Sequence, residues 1–207
     1  MADDLNSVNM AKGGRSYHHG ALRDALIDAA ETVIAERGVD GFSLRETARR
    51  AGVSPAAPGP HFKDARGLLT AVAAKAFREF GDALAVADSA PDRISRIRAQ
   101  GIAYVRFALA HPAKFNLLWR KALIDDSDPD YGAAGQRAFG LLDHAVRGDD
   151  RPMDRAADPA LAPSIAAWSI VHGFARLAMD GVFGTDDGAA ERAAESLLPR
   201  VLDHLQV

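Results

Sequence analysis

The chain has 207 residues with 48% hydrophobic and 26% charged content, which is typical of a globular protein of one or two compact domains. It contains no cysteine, which excludes disulfides, thiolate catalysis and cysteine-based zinc sites. The polar start of the sequence and the lack of any run of 18 apolar residues predict a cytoplasmic protein without a membrane span, and the formal net charge of −3 is not that of a strongly basic nucleic-acid binder. Any contact with nucleic acid must then depend on a small local cluster of basic side chains.

Helical periodicity begins at residues 22–37. The segment before it, residues 1–16, is polar and is predicted to be an arm that reaches DNA phosphates or a minor groove. Gly38 is placed to end the helix in the left-handed conformation that other residues avoid. The apolar residues that recur every three or four positions along this helix are Leu22, Ala25, Leu26, Ala29, Ala30, Val33 and Ile34.

Residues 42–62 are the most informative stretch of the sequence. Ser43 and Glu46 have the spacing of a capping box, in which each side chain binds a free amide at the helix N-terminus. Gly52 suits the end of this short helix, and Ser54 suits the start of a second one. Two short helices joined by a glycine turn are typical of a helix-turn-helix, whose second helix enters the major groove of DNA. The spacing alone also fits an ordinary helical hairpin.

The N-terminal sequence closely resembles the DNA-binding domain of TetR-type transcriptional repressors. The resemblance rests on YHHG at 17–20, the helix that follows, the segment SLRETARRAGVSPAAP, and HF at 61–62. It implies an all-α protein with a three-helix DNA-binding domain at 17–64 and a helix-turn-helix at about 43–62. A helical C-terminal domain for ligand binding and dimerisation is implied as well.

Three positions depart from the pattern of that family. Gly59 and Pro60 stand where members usually carry a Tyr and often a basic or polar residue, and Ala65 stands where they carry a Lys that looks like a phosphate contact. A proline in the interior of a helix costs about 3 kcal/mol. We therefore expect a recognition helix that is short, distorted or ended near Pro58.

The resemblance places the DNA contacts in and beside the helix-turn-helix. Lys63 and Arg66 are expected to supply phosphate contacts from the positions that flank the missing lysine. The other residues expected to contact the groove or the phosphates are Ser43, Arg45, Ser54, Ala56, Ala57 and His61.

The rest of the chain is predicted to be helical throughout. Residues 65–87 form a long helix that, in the family, connects the DNA-binding domain to the body, and Ser-Ala-Pro at 89–91 marks the start of a domain at 91–207. Residues 164–183 are apolar on two sides, so this helix needs a second partner besides its own core. With the amphipathic segment 191–205 it is predicted to form a four-helix bundle in a homodimer. Closure of a monomeric core is the alternative.

Aromatic residues concentrate in the C-terminal domain, where an apolar pocket for a small-molecule effector is predicted between the helices. Trp168, His172 and Gly173 also resemble the signature of one subclass of TetR-type C-terminal domains. The residues predicted to line the pocket, each of which could instead be plain core, are Phe107, Phe115, Trp119, Phe139, Trp168, His172 and Met179.

No catalytic motif, cofactor-binding motif or metal-ligand spacing stands out, so neither an enzyme nor a cofactor or metal site is predicted. The sequence favours a one-component transcriptional regulator, a repressor that a small apolar ligand releases from a double-stranded DNA operator. The alternative is a helical dimer that binds a ligand or a partner and has weakened or lost DNA binding. Gly59, Pro60 and Ala65 motivate that alternative.

Overall fold

The computed structural model describes residues 15–148 and 158–204, with side chains from Gly20 onward. Within these ranges the chain forms helices joined by turns and contains no strand, which confirms the predicted all-α fold. The α-helices are α1 (Arg15–Arg37), α2 (Leu44–Arg50), α3 (Gly59–Phe62), α4 (Ala65–Ala87), α5 (Arg93–Ala110), α6 (Pro112–Leu118), α7 (Pro129–Arg147), α8 (Ala162–Met179), α9 (Ala189–Ser196) and α10 (Leu198–Leu202). Short 3₁₀ helices at Lys121–Leu123 and Pro159–Leu161 precede α7 and α8.

The first three helices form the N-terminal head. α1 begins at Arg15, earlier than the periodicity predicted, and the predicted arm otherwise lies outside the described residues. α1 ends where Gly38 adopts a φ of +71°, and α2 is followed by Gly52 with the same φ, a value that glycine reaches without the steric cost of a Cβ. The predicted apolar face of α1 is buried or half-buried except for Ala25, while Ile27 is buried in addition.

α4 belongs to both the head and the body. Asp64 caps it by accepting a hydrogen bond from the Gly67 amide at 2.9 Å. A Cβ at Gly67 would lie 2.0 Å from the Phe62 carbonyl oxygen, so glycine permits the close approach of α3 to α4. α4 packs against α1 and α3 in the head and against α5, α6 and α7 in the body. One continuous apolar core therefore runs from the head into the body.

Aromatic side chains from three helices build the core of the body. The rings of Phe80 and Tyr104 meet edge to face with centroids 5.0 Å apart, and those of Tyr104 and Phe115 do so at 5.7 Å. Phe115 is fully buried. α8 packs across this core against α5 and α7. The core thus fixes α5, α6 and α8 around the second half of the long helix α4.

Candidate DNA-binding surface and effector cavity

A cluster of ion pairs around Glu46 holds α2 in place. Its carboxylate accepts hydrogen bonds from Arg49 at 2.8 Å, from Arg50 at 2.9 Å and from Arg37 at 3.2 Å. Arg50 also reaches Glu36 of α1 at 2.7 Å. These hydrogen bonds lower the pKa of the Glu46 carboxyl to about 2. The bond from Arg49 has the largest effect on the pKa, and the bond from Arg50 has the second largest. Arg37 and Arg50 therefore join α2 to α1, and all three arginines are already paired within the head.

Half of the predicted capping box is present. Ser43 Oγ accepts a hydrogen bond from the Glu46 amide at 3.4 Å, but the Glu46 carboxylate binds the arginines instead of returning a bond to Ser43. Arg45, on the same helix, is exposed and makes no hydrogen bond or ion pair with any residue that the structure describes. Its guanidinium is therefore available to a DNA phosphate.

The pairing of Glu46 predicts a pH dependence of head stability. Because the pKa in the folded state is about 2 and the ordinary value is 4.5, the stabilisation from these bonds is fully present above pH 4.5 and is lost as the pH falls through 2. We expect Glu46→Gln to lower the melting temperature at pH 7, and the difference from the native chain to shrink between pH 4.5 and pH 2.5. Thermal melts followed by circular dichroism test this, and a difference that stays constant over that range would contradict it.

The recognition segment is short and distorted, as expected. Residues 55–58 form turns in which amides bond to carbonyls three residues earlier at 3.0 and 3.2 Å, and only the four residues of α3 are α-helical. Pro55, Pro58 and Pro60 have no amide hydrogen, so the usual helical hydrogen bonds are interrupted at each of them. Two details of the prediction were wrong for this reason. Ser54 does not cap a regular helix, and Pro58 precedes the helical turn instead of ending it.

The predicted DNA contacts are divided between two clefts and the exposed turn. Ser43 and Arg45 line one cleft, while Ser54 and Ala56 are exposed on the turn and Ala57 is half-buried. The second cleft, called the mixed-charge cleft below, has a volume of about 520 Å³. It is lined by Arg23, Gly59, Pro60, His61, Phe62, Lys63, Asp64, Arg66, Gly67, Ala71, Ala74, Arg78, Asp125, Asp128 and Asp130.

Two basic residues of the mixed-charge cleft were not predicted from the sequence. Arg23 of α1 lies over the Phe62 ring, 5.5 Å from its centre, and Arg78 comes from α4. Both join Lys63 only through helix packing, so no local sequence pattern marks them. A basic residue on the outer side of a helix is ordinarily a solvated charge.

Lys63 has a strained backbone. Its φ of 66° and ψ of −58°, with a hydrogen bond of 2.7 Å from the Asp64 amide to the Phe62 carbonyl, define a γ-turn. Among the described residues other than glycine, it alone has a positive φ. Strain of this kind concentrates at functional sites in proteins. The strained turn directs the chain from α3 into α4 and leaves the lysine side chain exposed.

A cavity of about 570 Å³ lies in the body between α4, α5, α7 and α8. Its volume is within the usual range for small-molecule sites, and most of its wall is apolar. Lys121, Asp126 and Gln136 are exposed at its rim. The other side chains that line it include Phe77, Phe80, Leu84, Gln100, Tyr104, Leu118, Trp119, Tyr131, Phe139, Leu142, Ile165, Trp168 and Val171.

The structure divides the predicted pocket residues into two groups. Those that line the cavity are Trp119, Phe139 and Trp168. Those that do not line it, contrary to the prediction, are Phe107, Phe115, His172 and Met179. Phe107 and Phe115 are buried in the packed core instead. Helical spacing shows that a face is apolar, but it does not show whether that face meets a cavity or another helix.

A chain of hydrogen bonds links two walls of the cavity through Tyr104. Its hydroxyl accepts a hydrogen bond from Trp168 Nε1 at 3.1 Å and lies 2.8 Å from His172 Nδ1. Burial raises the pKa of Tyr104, and burial lowers the pKa of His172. The phenol therefore stays protonated and donates to a neutral imidazole at pH 7. His172 thus contributes to the cavity indirectly, by orienting Tyr104.

Residues 119–126, called the linking segment below, connect the cavity to the head. On the cavity side, Trp119, Lys121 and Asp126 form part of the wall. On the head side, Arg120 forms an ion pair with Asp40 in the turn between α1 and α2. A single short segment therefore contacts both the cavity and the head.

Two further hydrogen bonds join the linking segment to the start of α4. The Ile124 carbonyl accepts a hydrogen bond from Arg66 at 2.7 Å, and the Asp125 amide donates one to Thr70 Oγ1 at 2.9 Å. Arg66, expected to contact DNA phosphate, is thus bound to the body in this conformation. Its side chain remains exposed, with further N–H groups available.

In the described parts of the chain, no helix is long and apolar enough to cross a membrane. The same parts contain no group of three or more histidine, aspartate or glutamate residues arranged to hold a metal ion.

A helix-turn-helix head, joined by a long helix to a helical body with an internal cavity, defines a one-component DNA-binding transcriptional regulator. Comparison with known families agrees with this class. Residues 26–72 match the family described as bacterial regulatory proteins, tetR family, and residues 97–201 match the tetracyclin repressor-like C-terminal domain. The chain belongs to the TetR family.

Solved structures share the fold over nearly the whole chain. A protein with unknown function from Rhodococcus sp. RHA1 is 34% identical, with a TM-score of 0.67 over 90% of this chain and 97% of that one. PfmR from Thermus thermophilus is 22% identical, with a TM-score of 0.61 over 88% and 99%. RolR in complex with resorcinol is 22% identical, with a TM-score of 0.59 over 92% and 97%. A search of curated proteins finds no match.

Proposed function

We propose that this regulator is a homodimeric repressor that acts in the cytoplasm and leaves its operator when a small, mainly apolar ligand enters the cavity. The observation that carries the proposal is the linking segment, which forms part of the cavity wall and also binds the head. A ligand that displaces this segment changes the position of the head relative to the body. A coupling of about 1–3 kcal/mol corresponds to a 5- to 150-fold change in operator affinity.

Two exposed cations support DNA binding by the head. Arg45 lies on α2 without a partner among the described residues, and Lys63 projects from the turn after α3. We propose that they bind phosphates and position the exposed turn with Ser54 and Ala56 in the major groove. Methyl and hydroxyl groups there suit contacts with a thymine methyl and with base edges.

The chemistry of the cavity supports an aromatic ligand with polar groups. Gln100 Oε1 and Trp119 Nε1 are buried without a hydrogen-bond partner among the described residues. The first atom lacks a donor and the second lacks an acceptor, so a ligand that offers both matches the wall. RolR, which shares the fold, was solved with resorcinol, a small aromatic compound with two hydroxyl groups. Resorcinol is therefore a suitable first probe.

An apolar face on α8 supports the homodimer. Ala166, Ile170, Gly173 and Leu177 recur at a spacing of three or four and are exposed or half-buried, and Leu177 is 46% exposed. Leu197, between α9 and α10, is 44% exposed. Small and aliphatic residues on such a face suit the close approach of the same face of a second copy.

The test is a titration of the protein with the DNA upstream of its own gene at 50 and 200 mM salt. We expect tight, sequence-dependent binding that weakens steeply with salt, because phosphate contacts release counterions. Arg45→Ala should weaken binding and flatten the salt dependence, whereas Arg106→Ala, which removes an exposed arginine of α5, should do neither. Equal effects of the two substitutions would contradict the proposed docking of the head.

A second candidate function is a ligand-binding dimer whose head no longer binds DNA. The observation that favours it is the four-residue α3 with Pro60 inside it. The same titration separates the two functions. Binding to upstream DNA no tighter than to random DNA, together with ligand binding to the isolated protein, would support this second function.

A further inference from the structure

The mixed-charge cleft brings acidic residues of the body against the basic residues that we propose as phosphate contacts. Asp125, Asp128 and Asp130 line it from the body side, while Lys63 and Arg66 line it from the head side. Asp125 is the second-last residue of the linking segment, Asp128 caps α7 and Asp130 lies in the first turn of α7. These three are called the acidic group below. Carboxylates and phosphates are both anions that bind guanidinium and ammonium groups, so they compete for the same cations.

Direct contacts hold Asp125, the first residue of the acidic group, at this position. The Arg66 guanidinium donates to the Ile124 carbonyl at 2.7 Å, and the next residue, Asp125, donates its amide to Thr70 Oγ1 at 2.9 Å. The backbone at Asp125 is therefore held beside the start of α4, which contains Arg66 and closely follows Lys63. The pKa of Asp125 is lowered, first by its hydrogen bonds with Ser127 and further by the charges of Arg66 and Lys63.

Arg23 and Arg78 also line the cleft, but three other arginines of the head do not add to its positive charge. Arg37, Arg49 and Arg50 are paired with Glu46 and Glu36. The cations left for DNA are therefore few, and the acidic group faces several of them across one cleft of about 520 Å³. Charges that line one cleft interact at moderate ionic strength when they lie within the Debye length, which is about 10 Å at 0.1 M salt.

We propose that the acidic group is a built-in competitor of DNA phosphate. Its negative charges reduce the electrostatic attraction of Lys63 and Arg66 for phosphate, and this lowers the affinity of the head for DNA. This inference rests on the proposed phosphate-binding role of those two residues. It adds a determinant of DNA affinity that lies in the body. Because Asp126 of the linking segment lines the effector cavity, the position of the competitor is tied to the cavity wall.

The test replaces the acidic group by asparagine in the triple variant Asp125→Asn/Asp128→Asn/Asp130→Asn. Asparagine keeps the side-chain oxygen with which Asp128 accepts from the Tyr131 amide at 2.9 Å and Asp125 from the Ser127 amide at 3.1 Å, so the local fold is retained. We expect DNA to bind about tenfold more tightly at 50 mM salt, with the gain falling below about twofold at 0.5 M salt.

A matched control has the same change in net charge. In Asp82→Asn/Asp92→Asn/Asp187→Asn, the three replaced residues are exposed, and Asp92 keeps its capping oxygen. Asp82 lies about 25 Å along α4 from Arg66. The control variant should bind DNA less than about threefold more tightly than the native chain. Equal gains in DNA affinity in the two variants would mean that the net charge of the protein alone sets the change. No gain in the triple variant of the acidic group would mean that this group does not compete with phosphate. Either result overturns the proposal.

The measurement is made on both upstream DNA and random duplex DNA, since competition for phosphate contacts does not depend on sequence. Loss of discrimination between the two duplexes would count against the proposed operator recognition. If only the triple variant of the acidic group binds both duplexes more tightly, the result would still support the proposal that the acidic group competes with phosphate. Circular dichroism melts of the variants check that the fold is retained.

Discussion

Phe115→Ala is expected to destabilise the protein by about 3–5 kcal/mol. The side chain is fully buried, and its ring lies within 6.0 Å, centre to centre, of the rings of Tyr104, His172 and Trp119. Removing it leaves a cavity at the point where α5, α6 and α8 meet, and these helices cannot close the gap without losing other contacts. Chemical denaturation followed by circular dichroism measures the change in the free energy of unfolding.

Phe139→Ala is the matched control for that substitution. Phe139 is half-buried and lines the effector cavity, so its removal enlarges an existing space and should cost clearly less stability than Phe115→Ala. It should instead alter the affinity for an aromatic ligand. If the two substitutions cost the same stability, the assignment of Phe115 to the core and Phe139 to the cavity wall is wrong.

Lys63→Gly is expected to separate stability from DNA binding. Glycine adopts the positive φ of the γ-turn without the strain, of about 1–3 kcal/mol, that a residue with a Cβ carries there. The greater freedom of glycine in the unfolded chain offsets about 0.5–1 kcal/mol of that gain. The melting temperature should therefore rise. Affinity for the operator should fall on the order of tenfold, because a dimer loses two phosphate contacts.

Lys63→Ala provides the control, since it removes the charge but keeps a Cβ in the strained turn. It should weaken DNA binding as much as Lys63→Gly without raising the melting temperature. Each variant should reduce the slope of log affinity against log salt by about 2. Unchanged slopes would show that Lys63 does not contact phosphate, and an equal melting temperature for Gly and Ala would show that the turn stores no strain.

Local sequence signals predicted the end of α1 and both ends of α2. Gly38 and Gly52 adopt the positive φ expected of residues that follow helices. Aspartate is a preferred N-cap residue, and in the structure Asp64 and Asp92 each accept a hydrogen bond from the amide three residues on. The prolines of residues 55–60 shorten the recognition helix, as expected. These features depend on contacts within about four residues, and such contacts can be read from one stretch of sequence.

Partners of side chains were much harder to predict. The sequence gives no sign that Glu46 binds three arginines and so leaves the second half of its capping box unmade. It also did not indicate that Phe107 and Phe115 belong to the packed core while Gln100 and Tyr104 line the cavity. Apolar spacing is the same for both environments, because it records only which face of a helix avoids water.

The sequence by itself determined the all-α class, because helices depend on local hydrogen bonds, steric limits and apolar periodicity. The resemblance of its N-terminal motifs to a known family, and not periodicity, indicated the helix-turn-helix and the TetR family. Only the tertiary structure decided the link between cavity and head. Arg120 meets Asp40 across 80 positions of the chain, and Arg66 meets Ile124 across 58. Such pairs are set by the offsets at which whole helices pack against each other. Those offsets result from the fit of many side chains at once, which no single stretch of sequence specifies.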